Sequence, residues 1–146
     1  MNEKIEFLWL NRGEGVRLYK FLCEVDDIFI PKLSERVNIK EYAEKLAQNA
    51  ENIVACYDEE DVGACSIYCN LETAFISSFA VKNAYMRMKI GSQMMEQVKE
   101  HARASRCRSI KLEVFHRNSK AMKFYEKQGF VCAKHVNEWF TMEYKL

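Results

Sequence analysis

A short basic loop between a predicted strand and a predicted helix is the first candidate for chemistry in this sequence. The apolar run of residues 79–81 leads into the loop, and an amphipathic helix begins near Ile90. A helix start carries a partial positive charge and several backbone N–H groups without intrahelical partners, so it suits a bound phosphate. Arg87 and Lys89 add two cations. The sequence therefore predicts an anion-binding site over residues 79–92.

A second candidate is a pair of polar side chains in the helix predicted over residues 118–127. Seven residues at about 100° each bring Tyr125 back to within about 20° of Asn118, with Ala121 on the same stripe. One helix face would then present an amide, a small gap and a phenol in line. A structural interpretation is equally open here, because Asn118 is a good N-cap and Tyr125 beside Phe124 would suit a core.

Composition indicates an ordinary globular protein. A chain of 146 residues fits one domain, which would bury roughly 70% of the surface of the unfolded chain. The net charge of +1 gives no general attraction to nucleic acid or anionic membrane. The N-terminal run MNEKIEFLWLNRGEG has too short an apolar stretch for a signal peptide, and no segment approaches the ~18 apolar residues of a membrane span. We expect a cytoplasmic protein that binds neither nucleic acid nor membrane.

Cysteine and histidine spacing gives no metal motif. The six cysteines form no C-x-x-C pair and mostly lie in apolar runs, which predicts reduced core thiols: Cys23, Cys56, Cys65, Cys69, Cys107 and Cys132. His101, His116 and His135 are far apart and show no ligand spacing. The sequence therefore predicts no metal site.

Hydrophobic periodicity predicts the element order β-α-α-β-β-β-α-β-α-β-β. Strands are expected at residues 4–10, 52–58, 62–70, 73–81, 109–115, 130–136 and 138–144. Helices are expected to about Val25, from Asn38, from Ile90 to about Ser105 and from Asn118 to Lys127, with Gly129 in the left-handed position after the last. Residues 26–34 are interpreted as a loop. Strand 73–81 is apolar enough to be central, and the run 73–115 is long enough for a crossover between parallel strands.

Residues 80–102 and 112–130 resemble the GNAT superfamily of N-acetyltransferases. The second stretch carries the family signature N-x-x-A-x-x-F/Y-Y-x-x-x-G-F as Asn118, Ala121, Phe124, Tyr125, Gly129 and Phe130. In the first, residues 86–91 occupy the place of the family's Q/R-x-x-G-x-G/A pyrophosphate loop. Gly91 keeps the last glycine of that loop, whereas Met86 replaces the usual Arg or Gln and Lys89 replaces the middle glycine.

The resemblance implies an α/β (α+β) fold in a single N-acetyltransferase domain over residues 1–146. Its mixed central sheet would have six or seven strands flanked by about four helices. It also implies acetyl-CoA as co-substrate, held in a splay between strand 73–81 and strand 109–115. The cofactor-binding residues that it implies are Phe79, Ala80, Val81, Met86, Arg87, Met88, Lys89, Ile90, Gly91, Ser92, Asn118 and Tyr125.

By the same resemblance the reaction is direct transfer of the acetyl group to a primary amine. A backbone N–H near Phe79 or Ala80 would polarise the thioester, and Tyr125 would protonate the CoA thiolate. The general base is left open among Glu72, Ser77, Ser78 and Glu113, each of which also has a structural explanation. The first two helices and the loop between them would wall the acceptor site, so Asp26, Asp27 and the loop to Ser34 would touch a cationic amine on a small molecule or a protein.

A non-catalytic alternative also fits the sequence. Because Met86 and Lys89 depart from the loop pattern, the chain would then be an acyl-CoA-binding or protein-interaction module with a degenerate phosphate loop. The cations Arg87, Lys89, Arg103, Arg106 and Arg108 are either a solvated basic edge or contacts to the CoA phosphates. Exposed C-terminal strands could pair two chains as a homodimer.

Overall fold

The computed structural model describes residues 4–146, so the first three residues of the N-terminal run lie outside it. One mixed sheet has the order β1-β2-β3-β4-β5-β7-β6. Its strands are β1 Ile5–Trp9, β2 Glu51–Tyr57, β3 Glu60–Tyr68, β4 Thr73–Val81, β5 Ser109–Phe115, β6 Val131–Val136 and β7 Trp139–Lys145. Within this part of the chain β4 and β5 are parallel neighbours, and the other neighbouring pairs are antiparallel. The predicted mixed sheet, with β4 at its centre, is confirmed.

Helices cover the sheet, and two of them begin at the predicted asparagine caps. The α-helices of the described chain are α1 Gly15–Glu24, α2 Leu33–Arg36, α3 Ile39–Asn49, α4 Ile90–Ala104 and α5 Ser119–Lys127. The Asn38 side chain accepts the Glu41 N–H at 3.0 Å before α3. The Asn118 side chain accepts the Ala121 N–H at 3.2 Å before α5. Each asparagine satisfies one of the N–H groups that a helix start leaves without a partner.

Successive residues of the central strands face two separate cores, as the alternation of a strand requires. Ile53 and Cys65 belong to a core that α4 and α5 complete, with Tyr125 among its buried members. Val54 and Ala64 belong to a second core, which α1 and α3 complete. The middle of the sheet is therefore covered on both faces, and the helix with the catalytic candidate lies on the α4 side.

The parallel strands β4 and β5 pair only briefly. Three residue pairs join them, from Thr73 opposite Ser109 to Phe75 opposite Lys111. Beyond this point β4 stays paired with β3 up to Val81, and β5 stays paired with β7 up to Phe115. The C-terminal halves of the two strands therefore diverge, and this divergence is the splay that the sequence resemblance implied.

Two segments differ from the sequence-based prediction. Residues 26–34, interpreted as a loop, contain a 3-10 turn at Asp26–Ile28 and the start of the one-turn helix α2. The predicted loop before α4 is a second 3-10 turn, Asn83–Met88. Short turns of this kind close through local hydrogen bonds and leave no hydrophobic period in the sequence.

Cysteine placement also differs in part. Cys65 and Cys107 are buried and Cys56 and Cys69 are partly buried, but Cys23 and Cys132 are exposed. The prediction of core thiols is therefore wrong for Cys23 and Cys132. Cys23 lies on the outer side of α1, and Cys132 lies on the edge strand β6.

Within residues 4–146 no helix combines the length and the apolar content that crossing a membrane requires.

Gly129 ends α5 in the predicted left-handed conformation, with φ of +97°. A Cβ built at this position would lie 2.9 Å from Tyr144 Cε1, which is closer than real side chains approach. We expect Gly129→Ala to lower the free energy of unfolding by about 2–4 kcal/mol, through backbone strain and this clash together. Urea denaturation measures the change.

Gly13→Ala is the matched control, because Gly13 has φ of +92° but open space around its Cβ position. This variant carries the conformational cost alone, about 1–2 kcal/mol. Equal losses in the two variants would contradict the steric role of Tyr144.

Candidate active site

A cavity of about 600 Å³ opens where β4 and β5 diverge. Residues 75–81 of β4 form one wall, and residues 112–115 of β5 form the opposite wall. Asn118 and Tyr125 of the α5 region close one side. The strands thus part around a space that is large enough for the arm of a cofactor.

A β-bulge re-aims β4 beside this cavity. Ser78 is opposite Ser66 and Ile76 is opposite Ile67, so Ser77 is the extra residue on β4. The Tyr42 hydroxyl lies 2.6 Å from Ser77 Oγ and donates to the Ser77 carbonyl at 3.0 Å. Bulges of this kind bend a strand and often lie next to active sites.

The strand end next to the bulge offers backbone donors to the cavity. The Lys82 N–H donates to the Val62 carbonyl at 2.8 Å, on the β3 side. Because N–H directions alternate along a strand, the N–H groups of Phe79 and Val81 point the opposite way, towards the space that β5 has left. Phe79, Ala80 and Val81 all line the cavity.

The loop before α4 forms the end of the cavity where anion binding is predicted. Met86, Lys89, Gly91 and Ser92 line the cavity. The first intrahelical bond of α4 runs from the Gln93 N–H to the Lys89 carbonyl at 3.1 Å, and the Lys89 side chain does not cap the helix. The preceding N–H groups of the first helical turn are therefore available to a phosphate.

Lys89 adopts a left-handed backbone, with φ of 59° and ψ of 24°. This conformation favours glycine and costs a residue with a side chain roughly 1–2 kcal/mol. The loop therefore keeps the geometry that a glycine at position 89 would supply, and it adds a cation at the same place.

Gly91 permits the close approach of α4 to α5. A Cβ built at this position would lie 3.1 Å from Phe124 Cε1. The Phe124 ring in turn packs against Phe79 with 5.4 Å between centroids. The start of α4, the face of α5 and the end of β4 therefore meet in one place.

Tyr125 faces inward from α5 and is 9% exposed. Its ring has edge contacts with Phe79 and Phe130, at centroid distances of 6.1 and 5.9 Å. Burial, with a smaller contribution from the Cys65 thiol, raises the pKa of Tyr125 above its ordinary value. The phenol therefore holds its proton at neutral pH and can act as a donor.

The other end of the cavity is mainly apolar. Ile28, Phe29, Ile30, Leu33, Val37 and Trp139 line it. The Arg36 guanidinium lies over the Trp139 ring at 4.7 Å from the centroid. Among the described residues that line the cavity, Glu113 is the only carboxylate, and its side chain is exposed.

Comparison with known proteins identifies the family. Residues 17–130 match the family model described as "Acetyltransferase (GNAT) family". The chain belongs to this GNAT family. Membership confirms the resemblance of residues 80–102 and 112–130, and it confirms the assignment to the acyltransferases.

One relative of this GNAT chain matches it over about half of its length. The chain is 30% identical to N-alpha-acetyltransferase 60 of Xenopus tropicalis over 76 residues, which are 50% of this chain and 31% of that protein. The match therefore spans about a third of the length of that relative.

Solved structures share the fold over nearly the whole chain. The PaiA N-acetyltransferase of Thermoplasma acidophilum in complex with coenzyme A has a TM-score of 0.82 at 19% identity, with 98% of this chain and 99% of that chain covered. The ribosomal-protein-S18-alanine N-acetyltransferase of Escherichia coli has a TM-score of 0.78 at 16% identity, with 97% and 94% covered. These likenesses establish the GNAT fold.

Most residues that the GNAT resemblance assigned to the cofactor line the cavity, and three do not. Arg87 and Met88 end the 3-10 turn outside the cavity wall, and Arg87 is exposed. Ile90 is fully buried in the α4 core. A 3-10 turn repeats every three residues, so Met86 and the following Lys89 reach the wall while the two residues between them do not.

The two acidic residues that the resemblance placed at the acceptor site lie outside the cavity wall. Asp26 accepts hydrogen bonds from the Ser34 N–H at 2.7 Å and the Ser34 hydroxyl at 2.6 Å, which lower the pKa of Asp26. Asp26 and Asp27 do not line the cavity; the apolar residues after them do.

The four candidates for the general base also differ in whether they line the cavity. Ser77, Ser78 and Glu113 line the cavity, whereas Glu72 is exposed elsewhere and lies 3.7 Å from Arg108.

The predicted basic edge is split between the two ends of α4. Lys89 lies at its start, whereas Arg103 lies in its last turn and pairs with Glu100 at 3.3 Å. Arg106 and Arg108 follow the end of the helix. These three arginines are therefore remote from the anion-binding end.

Two lysines of the cavity wall were missed by sequence reasoning. Lys120 and Lys127 of α5 both line it. They are seven residues apart, the same interval that places Asn118 and Tyr125 on one face, so helical periodicity would have detected them. Arg36 and Tyr42 were also missed, because only the tertiary fold brings α2 and α3 to the strand ends.

We expect Lys89→Gly to stabilise the fold and to weaken CoA binding. Relief of the left-handed strain, about 1–2 kcal/mol, exceeds the entropic cost of a glycine, roughly 0.5–1 kcal/mol. The net gain in the free energy of unfolding is about 0.5–1 kcal/mol. Loss of the cation raises the dissociation constant for CoA, measured by calorimetry.

Arg106→Gly is the matched control, because Arg106 is also left-handed, with φ of 65°, and lies beyond the far end of α4. It should gain similar stability and leave CoA affinity unchanged. Destabilisation by Lys89→Gly, or an equal loss of CoA affinity in both variants, would contradict this role of Lys89.

Proposed function

We propose that this chain is an N-acetyltransferase that moves the acetyl group of acetyl-CoA directly to a primary amine, within one domain over residues 1–146. The observation that carries the proposal is the cavity between the diverging ends of β4 and β5. A phosphate-binding helix start, unpaired strand N–H groups and a buried phenol all border it. Family membership supports the same reaction class.

The cofactor would be held through its phosphate charges at one end and through hydrogen bonds to β4 along its pantetheine arm. Its phosphates would lie at the start of α4, where the helix N–H groups and Lys89 attract anions. Lys120 and Lys127 add two cations to the same cavity. The pantetheine arm would follow β4. There it would accept hydrogen bonds from the β4 N–H groups that point away from β3, in place of the strand partner that β5 no longer provides.

In the reaction the amine nitrogen attacks the thioester carbonyl, and the negative charge moves to the carbonyl oxygen. The Phe79 N–H, preset towards the splay, would donate to that oxygen. The C–S bond then breaks and the sulfur takes the Tyr125 proton. The raised pKa of Tyr125 does not prevent this step, because the thiolate leaves in the same apolar surroundings, and burial likewise raises the pKa of the neighbouring Cys65 thiol.

The amine must lose a proton as the bond forms, and Glu113 is our choice of base. A lysine-like amine with pKa ~10.4 is almost wholly protonated at neutral pH, so unaided deprotonation costs roughly 4–5 kcal/mol. Glu113 is the carboxylate of the described cavity wall. The apolar acceptor end, with Ile28, Phe29 and Leu33, favours an amine carried by an apolar group.

The acceptor would be a protein or small-molecule amine of this apolar kind, met in the cytoplasm. The names of two relatives, N-alpha-acetyltransferase 60 and the S18-alanine N-acetyltransferase, support a protein amine. A panel of peptides and small amines with acetyl-CoA, read by thiol release, tests the activity itself. Tight acetyl-CoA binding without transfer to any acceptor would favour the non-catalytic alternative.

Tyr125→Phe should lower kcat about 100-fold or more and leave the dissociation constant for acetyl-CoA within twofold. The substitution removes the proton donor and keeps the aromatic contacts. Steady-state kinetics and calorimetry measure the two quantities.

Tyr144→Phe is the control, because Tyr144 is a partly buried tyrosine that packs on Phe130 and lies outside the cavity wall. It should leave kcat unchanged. An unchanged rate in Tyr125→Phe would remove Tyr125 from the mechanism.

Glu113→Gln should lower kcat/KM at pH 7 about tenfold or more, and the loss should shrink as the pH approaches the pKa of the acceptor amine. At high pH the amine is already neutral, so the base is no longer needed. Full pH profiles measure the effect.

Glu72→Gln is the matched carboxylate outside the cavity and should show the wild-type profile at every pH. A pH-independent loss in Glu113→Gln would assign Glu113 a binding role instead of proton transfer.

A further inference from the structure

Three side chains with different metal-binding atoms meet at the end of the sheet opposite the anion-binding loop. Glu51 is the first residue of β2, Cys69 directly follows β3, and His101 lies in the last turn of α4. One ligand atom from each residue lies within 4.8 Å of the other two. They are 18 and 32 positions apart in sequence, which is why spacing alone predicted no metal site.

We propose that Glu51, Cys69 and His101 bind one divalent cation of the zinc type. A thiolate, an imidazole and a carboxylate form a donor set that suits Zn²⁺ and Co²⁺, whereas Mg²⁺ prefers oxygen donors. Bond lengths of about 2.0–2.3 Å in a tetrahedral site place ligand atoms roughly 3.3–3.5 Å apart. The Glu51 and His101 atoms are 2.7 Å apart and all three ligand atoms lie within 4.8 Å of one another, so small side-chain rotations suffice.

The imidazole is already oriented for such a site. Both carboxylate oxygens of Glu51 face His101 Nε2, at 2.7 and 2.8 Å. The Trp9 ring stacks on the imidazole at a centroid distance of 4.1 Å and fixes its plane. The Glu51–His101 hydrogen bond holds two of the three groups together, and the Cys69 thiol, which also interacts with Cys107 and Ser105, supplies the third.

The cluster is accessible to an ion from solvent. The side chains of His101 and Glu51 are 27% and 38% exposed, which leaves a path for the cation and space for a water as the fourth ligand. On binding, the Cys69 thiol releases its proton to solvent, because thiolate is the ligand form. The Cys107 thiol donates to the Leu71 carbonyl at 3.3 Å and to the Cys69 carbonyl at 3.8 Å, so it lies beside the three ligands without being one of them.

The cation would stabilise the fold and take no part in acetyl transfer. It would add a further link among the start of β2, the end of β3 and the end of α4, which are already joined by the β2–β3 pairing and by the Glu51–His101 contact. His101 and Gly91 are ten residues apart on α4, or about 15 Å along its axis. The proposal is therefore independent of the proposed activity.

The test uses full-length, chelator-treated protein without an affinity tag, titrated with Zn²⁺, Co²⁺ and Mg²⁺. We expect one equivalent of Zn²⁺ or Co²⁺ per chain, a higher Tm with Zn²⁺, a thiolate-to-Co²⁺ charge-transfer band and no effect of Mg²⁺. Cys69→Ser should abolish the band. His101→Gln and Glu51→Gln should weaken binding about tenfold or more, and Glu51→Gln keeps a hydrogen bond to His101, so its fold is protected.

Matched controls are Cys132→Ser and His135→Gln, exposed residues of β6 outside the cluster. Both should bind the cation as the wild type does. Absence of stoichiometric binding, a charge-transfer band that survives in Cys69→Ser, or an equal loss of binding in the controls would each overturn the proposal.

Discussion

The early separation of β4 from β5 is the constraint on which the rest of the structure depends. Each strand satisfies its backbone on its outer side, β4 with β3 and β5 with β7, so the two can part without losing the sheet. The inner N–H and C=O groups of β4 then lack a strand partner, and unpaired backbone in a buried place is costly. A bound ligand with amide groups of its own would satisfy them. The splay is therefore a cost to the free protein, and it has the shape that the proposed binding of an extended cofactor arm requires.

Helix α5 fills the splay on one side, and both of its ends are fixed. Asn118 sets where the helix starts, and Gly129 lets the chain turn at once into β6. With both ends held, Tyr125 can point only into the cavity, among the rings of Phe79 and Phe130. Asn118 and Gly129, which the sequence predicts as a helix cap and a helix end, thus position the phenol of Tyr125. Their structural role is compatible with the proposed function.

Sequence patterns predicted the parts of this fold that depend on periodicity or on capping. β4 and β5 were placed at their observed bounds, because each is a β-rich run between turn residues. Sequence patterns did not predict local side-chain hydrogen bonds or contacts between distant elements. The Asp26 carboxylate accepts hydrogen bonds from Ser34 and lies outside the cavity wall. The contacts among Glu51, Cys69 and His101 arise only when three elements come together, so no local pattern could register them.

Lys89 shows why a departure from a family pattern need not mean a lost site. A glycine in a phosphate loop supplies two things, a left-handed backbone and the absence of a side chain. Position 89 keeps the first, since its φ is 59°, and replaces the second with a cation on a long flexible stem. Such a stem can extend away from the backbone donors and bring its charge to a phosphate, so the β-carbon need not obstruct the ligand. Asp58, Glu59 and Arg106 share this backbone conformation at turns, and Lys89 differs from them because it lines the cavity at the start of α4. The left-handed backbone of Lys89 therefore argues against a degenerate phosphate loop. In the sequence, the same residue was one of the two departures that suggested one.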